Sequence, residues 1–321
     1  VKSIAVVGIG VGIWVGIGVG IGVGIGVGVG VGVGVAEARK EEPPAGNLAW
    51  IKDGAIWRAP LAAPDQPVKL AELAVAPALV RRLVAAGDGS ALLVDLGRNA
   101  AWIDLAGGKA AAPVFLPCSG GRLASDGGRV LCGARSGKGS VAYRMRPRLG
   151  SAALEELDPA RTSFTAGDRL VSEVDGALRA DDKVVAPHAP VDRLMVSPDG
   201  ARAVGRYQDG DGDALFGFRL DGRAARRKLI SGTPVAWSAD SVWLAVDGEN
   251  TGCVLRAVGG EYKCWDDFRA LAVSADGGLA LLGKSAETGP GLDVHLVATT
   301  GVRRDKPRLL VASALAATLL P

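Results

Sequence analysis

Short apolar runs alternate with clusters of Gly, Asp and Ser through most of this chain, as in "VAAGDGSALLV" (84–94), "MVSPDGARAVG" (195–205) and "AVSADGGLALL" (272–282). No segment of the body sustains the i, i+3, i+4, i+7 apolar spacing of a helix face. The pattern therefore predicts strands joined by tight turns. Six turn aspartates, Asp88, Asp126, Asp168, Asp199, Asp240 and Asp276, follow one another at intervals of 38, 42, 31, 41 and 36 residues. Each turn is followed by an apolar strand, a second turn and a further strand, for example "ALFGFRLDGR" and "CVLRAVGGEYK". A unit thus holds a strand, the Asp turn, a second strand, a loop, a third strand, a turn and a fourth.

A period near forty built from four strands is the signature of a propeller blade, whose sheet buries both faces only by stacking against neighbours. The segment "NLAWIKDGAIWRAPLA" (47–62) has the outer hairpin of one further unit without its inner half. The C-terminal "KPRLLVASALAATLL" would supply the missing strand and close the ring. The expected fold class is all-β: a propeller of about seven four-stranded blades, within a range of six to eight.

The stretch "VSPDGARAVGRYQDGDGDALFGFRLDG" resembles the SPDG-type, WD-repeat-like units of TolB-like β-propellers, a motif also present in the propellers of prolyl-oligopeptidase-type peptidases. The match runs over about six units, residues 79–305, and only Ser197–Gly200 carries the motif in full. The resemblance implies a non-catalytic binding platform, often periplasmic. That implication is an analogy at the level of fold.

Ahead of the repeats lies a different pattern. Every even position from Gly8 to Gly34 is glycine except Trp14, the odd positions are Val or Ile, and no charge occurs between Ile4 and Ala36. A period of two would put β-branched side chains on one face of a strand, which unpaired in water invites aggregation. An uncharged run of this length also exceeds the threshold for a membrane span, and in a bilayer a single segment satisfies its backbone only as a helix. With Lys2 before it and "AEA" at Ala36–Ala38 behind it, the tract further reads as a long secretory signal cleaved after Ala38. Residues 1–36 are therefore expected to be a transmembrane anchor or signal segment, 37–47 ("EARKEEPPAGN") a solvated linker, and 48–321 the propeller.

Composition narrows the partners. The 321 residues carry 37 basic and 34 acidic side chains, a near balance that argues against nucleic acid as a ligand. The four cysteines form two local pairs, Cys118 with Cys132 around Asp126-Gly127-Gly128, and Cys253 with Cys264 around Gly259. Two disulfides within hairpins are expected, in keeping with export. No C-x-x-C or Cys/His ligand cluster occurs, so no metal ligand is assigned.

Other motifs are weaker. "GLALLGKS" (278–285) fits a P-loop pattern, yet its middle is an apolar strand and no helix follows. "DGDGD" (209–213) alternates carboxylates as a calcium loop does, but Ala214 and Leu220 stand where such a loop needs Gly and Glu. His188 and His295 have no ligand or nucleophile motif beside them, and no catalytic residue or cofactor is assigned. Three basic clusters, Arg144/Arg146/Arg148, Arg223/Arg226/Arg227/Lys228 and Arg303/Arg304/Lys306/Arg308, fall in the outer halves of units. The first alternates with period two, which predicts one strand face. Charge on exposed outer strands keeps them from pairing with other chains. The sharper expectation is contact between Arg223, Arg226, Arg227 and Lys228 and an anionic partner or headgroup.

The function expected from sequence is an exported, membrane-tethered, non-catalytic propeller that binds a protein partner. The alternative is a propeller enzyme of lactonase or lyase type, which would need carboxylates, Asn or His converging on the central channel.

Overall fold

The computed structural model describes residues 44–107, 110–136, 139–149, 154–157, 162–164, 170–174, 176–181, 183–186, 192–209, 212–221, 227–287, 290–299 and 306–321. The N-terminal tract and most of the linker, residues 1–43, lie outside the described residues, as do Asp168 and His188. Among the described residues no helix is long and apolar enough to cross a membrane.

Seven four-stranded antiparallel sheets account for the body, and the first strand of each contacts the first strand of the next all the way round. That closed ring of first strands is the axis of a seven-bladed propeller. Blade 1 takes Ala316–Leu320 as its innermost strand, followed outward by Asn47–Lys52, Ala55–Pro60 and Val68–Glu72. The C-terminal strand pairs with the first strand of the described chain in the register Asn47↔Leu320 to Ile51↔Ala316. The C-terminus supplies the missing strand as expected, but residues 47–62 are the two middle strands of the blade and not its outer hairpin. Val68–Glu72 lies outermost, so one strand, not an inner half, comes from elsewhere, and the blade count is seven.

Blades 2 to 7 are each continuous in sequence, with innermost strands Arg82–Ala85, Ser119–Leu123, Thr162–Phe164, Asp192–Val196, Thr233–Trp237 and Arg269–Val273. In blade 2 the middle strands are buried on both faces, which is why runs such as Ala91–Asp95 are nearly continuously apolar. Side chains alternate between the two neighbours. Ala49 and Ile51 pack with Leu92, Val94 and Ile103 of blade 2, while Leu48 and Trp50 pack with Leu281, Val294 and Leu296 of blade 7. Comparable clusters join blades 2 and 3, 4 and 5, 5 and 6, and 6 and 7.

In blades 2, 3, 5, 6 and 7 the recurrent Asp turn links the first strand to the second, and its chemistry explains the sequence motif. The carboxylate accepts the backbone N–H two residues on: Ser90 on Asp88 (2.9 Å), Gly128 on Asp126 (3.0 Å), Ala201 on Asp199 (3.0 Å), Val242 on Asp240 (2.9 Å) and Gly278 on Asp276 (2.9 Å). In three turns a serine two residues earlier donates its hydroxyl to the same carboxylate: Ser197 to Asp199 (2.5 Å), Ser274 to Asp276 (2.6 Å), and Ser238 to Asp240. That hydroxyl also accepts the N–H of the first residue of the next strand, from Arg202, Trp243 and Leu279. Ser-x-Asp is thus a side-chain lock on a turn that would otherwise leave backbone groups unpaired.

These turns also bind blade to blade. Asp88 N–H donates to the Ser125 carbonyl (3.1 Å), Asp199 N–H to the Ser241 hydroxyl (2.9 Å), and Asp240 N–H to the Ala275 carbonyl (3.1 Å). Trp102 Nε1 donates to the Gly127 carbonyl across the boundary between blades 2 and 3 (3.0 Å).

Candidate functional site

Hairpin geometry brings each cysteine pair together. Cys118 precedes the innermost strand of blade 3 and Cys132 sits on its second strand; their Cα atoms are 4.8 Å apart and the sulfurs are bonded. In blade 6, Cys253 and Cys264 are directly opposed across the third and fourth strands, with Cα atoms 4.1 Å apart, and are likewise bonded. Both separations are well inside the limit of about 7 Å beyond which no bridge closes without moving the backbone. All four cysteines are accounted for, and none is free.

The basic clusters fare differently from one another. Among the first, only Arg144 lies on a strand, because Gly139–Met145 ends before Arg146 and Pro147–Leu149 forms a 3-10 turn. The period-two reading is therefore corrected: proline breaks the strand, and the three arginines do not share a face. Arg148 instead reaches back to blade 2, where Nε and Nη2 grip the two carboxylate oxygens of Asp104 at 2.8 and 3.0 Å. Its guanidinium lies 5.9 Å from the Trp102 ring centroid. Hydrogen bonding from Arg148 holds the Asp104 carboxyl below the usual carboxylate range, and the same bond raises the arginine. The pair is a clamp between blades that the sequence does not announce, since its partners are 44 residues apart.

In the second cluster, Arg227 and Lys228 open the outermost strand of blade 5 and are exposed, on the rim as expected. Arg227 Nη2 donates to the Gly259 carbonyl of blade 6 (3.0 Å), so part of its role is to hold the neighbouring turn. Arg223 and Arg226 lie outside the described residues. In the third cluster Arg308 opens the outermost strand of blade 7, with exposed Lys306 just before it; Arg303 and Arg304 lie outside the described residues.

The P-loop pattern is excluded by its setting. Leu279–Ser285 is the second strand of blade 7, paired on both sides, so its N–H groups serve the sheet and cannot cradle phosphate. In "DGDGD", Asp209 ends the second strand of blade 5 and pairs with Gly212, which begins the third, with Asp213 next along it; Gly210 and Asp211 lie outside the described residues. Among the described residues no group of three or more His, Cys, Asp or Glu side chains is placed to hold a metal. The innermost strands place Arg82, Arg122, Thr233, Arg269 and Thr318 around the axis, and Arg269 is paired through two nitrogens with Asp247 Oδ2 at 3.0 and 2.8 Å.

His295 sits on the third strand of blade 7, edge-on to Phe268 with ring centroids 5.1 Å apart. Burial pushes its pKa down, partly opposed by the Pro307 carbonyl and Asp293, and Lys284 adds to the downward shift. Its Nδ1 is buried without a hydrogen-bond partner, so a proton placed there would find no acceptor. The folded state thus takes up the proton less readily than the unfolded chain, whose histidine titrates near pH ~6.5. Stability from this residue is complete above that pH and is lost as the pH falls through and below it. The urea midpoint is expected to drop between pH 7.5 and 5, and His295→Phe should shrink that drop; an identical drop in the variant would remove His295 as its source.

No family model matches this chain, and no curated protein matches its sequence. Solved structures do match in shape. One is TolB from Acinetobacter baumannii, at 14% identity over 86% of this chain and 67% of that one, with a TM-score of 0.51. A second belongs to a nidogen/laminin complex, at 12% identity over 86% and 98% of the two chains, TM-score 0.51. A third is a functionally unknown protein from Desulfotomaculum acetoxidans DSM 771, at 11% identity over 86% and 99%, TM-score 0.52. At such identities the likeness shows the fold alone. This chain has the fold of a seven-bladed β-propeller, similar in shape to TolB.

Proposed function

We propose that the chain is exported and held at the cell envelope by its N-terminal tract, where the propeller serves as a non-catalytic platform for a protein partner. The observation that carries the compartment is the pairing of all four cysteines in two disulfides, which persist in oxidising surroundings and are rare in a reducing cytosol. The uncharged tract from Ile4 to Ala36 supports the same placement. Support for the binding role is an analogy of fold: a propeller of similar shape occurs in a nidogen/laminin complex, and TolB shares the architecture.

The test uses the full-length chain in its native cells. The protein is expected in the envelope fraction, open to protease added outside the cytoplasmic membrane, with its cysteines blocked to alkylation. N-terminal sequencing then separates an anchor, which keeps the tract, from a signal cut after Ala38. Cross-linking in the intact envelope should give a discrete heavier species. A cytoplasmic pool with free thiols would overturn the placement. Absence of any cross-linked partner, with turnover of lactones or similar small molecules by the purified chain, would replace the platform with the enzyme.

The second basic cluster extends this reading to an anionic partner or headgroup. Neutralising Arg226, Arg227 and Lys228 together is expected to weaken flotation with anionic vesicles, and undiminished flotation would discard that contact.

A further inference from the structure

We propose that the Cys253–Cys264 disulfide is a site of thiol–disulfide exchange on the propeller rim, opened by an external dithiol while Cys118–Cys132 stays closed. The two bridges are the same chemical group in different surroundings. Cys118 and Cys132 are 0% and 1% exposed, inside the cluster that joins blades 2 and 3, and Cys132 Sγ lies 3.4 Å from Met145 Sδ. A thiolate must reach a sulfur to displace its partner, and none reaches these without parting two blades. Cys264 stands on Tyr262–Asp266, the outermost strand of blade 6, and is half-buried beside the strongly exposed Tyr262. Cys253, on the adjacent strand, is buried.

Access therefore sets the direction of the reaction. The incoming thiolate attacks Cys264 Sγ, the S–S bond breaks, and Cys253 leaves as a thiolate that takes up a proton. The second thiol of the reductant then attacks the mixed disulfide, Cys264 is released as a thiol, and two electrons have passed from the dithiol to the protein. The strand itself stays in place. Its hydrogen bonding with Thr251–Arg256 continues from Thr251↔Asp266 to Leu255↔Tyr262, Trp265 is buried against blade 7, and Lys263 Nζ donates to the Ala298 carbonyl. Opening this bridge leaves the ring closed and presents a thiol pair at the rim, with Cys264 the member open to modification. This assignment does not depend on the partner-binding reading.

Graded dithiothreitol on the native full-length protein, then an acid quench, alkylation in denaturant so that every thiol already freed is labelled, and peptide mass spectrometry, tests it. Cys253 and Cys264 are expected to be labelled at a reductant concentration at least about tenfold below that needed for Cys118 and Cys132, with unchanged circular dichroism. Cys253→Ser with Cys264→Ser should abolish the low-reductant labelling and keep the fold. The proposal is overturned by labelling of Cys118 and Cys132 at the same concentration or a lower one. It is equally overturned if Cys253 and Cys264 resist until denaturant is added, or are free before any reductant.

Discussion

Ending the chain at Ala314 is expected to abolish the cooperative unfolding of the propeller. The deleted residues Ala316–Leu320 form the innermost strand of blade 1, and all five are at most 9% exposed. Leu319 and Leu320 alone account for about 3–6 kcal/mol of burial, at roughly 1.5–3 kcal/mol per leucine. Their loss also uncovers the second strand of blade 1, where Leu48, Ala49 and Ile51 are fully buried, and leaves its ladder groups without partners on that side. Against a total stability of about 5–15 kcal/mol, that deficit takes most or all of the margin. It also falls at the point where the ring closes, since Ala316–Leu320 contacts the innermost strands of both blade 2 and blade 7. Urea unfolding followed by circular dichroism should change from one sharp transition to a broad, early one. A peptide spanning residues 315–321, added in excess, should restore part of the cooperativity. A truncated chain that unfolds in a single sharp transition at nearly the same urea concentration as the full chain would show that closure is not what holds the ring.

This dependence was readable in sequence because it rests on local pattern. The blades follow from apolar runs set between Asp turns, and the half-unit at Asn47–Ala62 signals that a strand must come from elsewhere in the chain. The cysteine pairs were legible for the same reason: each spans one hairpin, so turn position sets the register that brings the sulfurs together. Contacts between blades were not legible. Arg148 meets Asp104 only because blade 3 is stacked against blade 2, and period alone placed that arginine on a strand which Pro147 interrupts. Ser241 looks like a degraded glycine of the DG turn, and its φ of +62° confirms the turn geometry. Its hydroxyl accepts the Asp199 N–H of blade 5, a task that glycine cannot perform. The basic rim shows the same limit, for nothing in the sequence pairs Arg227 with the Gly259 carbonyl. Sequence therefore reaches the blade and its lock, while the surface contacts that would name a partner depend on groups brought together only by the ring.

Replacing Gly277 by alanine is expected to cost about 2–5 kcal/mol, the sum of roughly 1–2 for a left-handed backbone and 1–3 for overpacking. Gly277 closes the Asp276 turn of blade 7 with φ at +72°, and a Cβ there would fall inside the indole of Trp243 from blade 6. The turn is also held from its own blade, since Gly277 N–H donates to the Ser274 carbonyl and its carbonyl accepts the Thr299 hydroxyl. Moving the turn would break these hydrogen bonds within blade 7, and moving the indole would disturb the cluster that joins blades 6 and 7. Gly259 provides the comparison. It too is left-handed, at φ +105°, but a Cβ there meets nothing within 4 Å, so Gly259→Ala should cost only the backbone share, about 1–2 kcal/mol. Urea midpoints of the two variants separate strain from overlap. Combining Gly277→Ala with Trp243→Ala isolates the overlap further, because removing the indole should return roughly 1–3 kcal/mol of the glycine's cost as a coupling energy. Equal costs at Gly277 and Gly259, or strictly additive effects at Gly277 and Trp243, would mean that the indole yields freely and that this blade junction is not tightly packed.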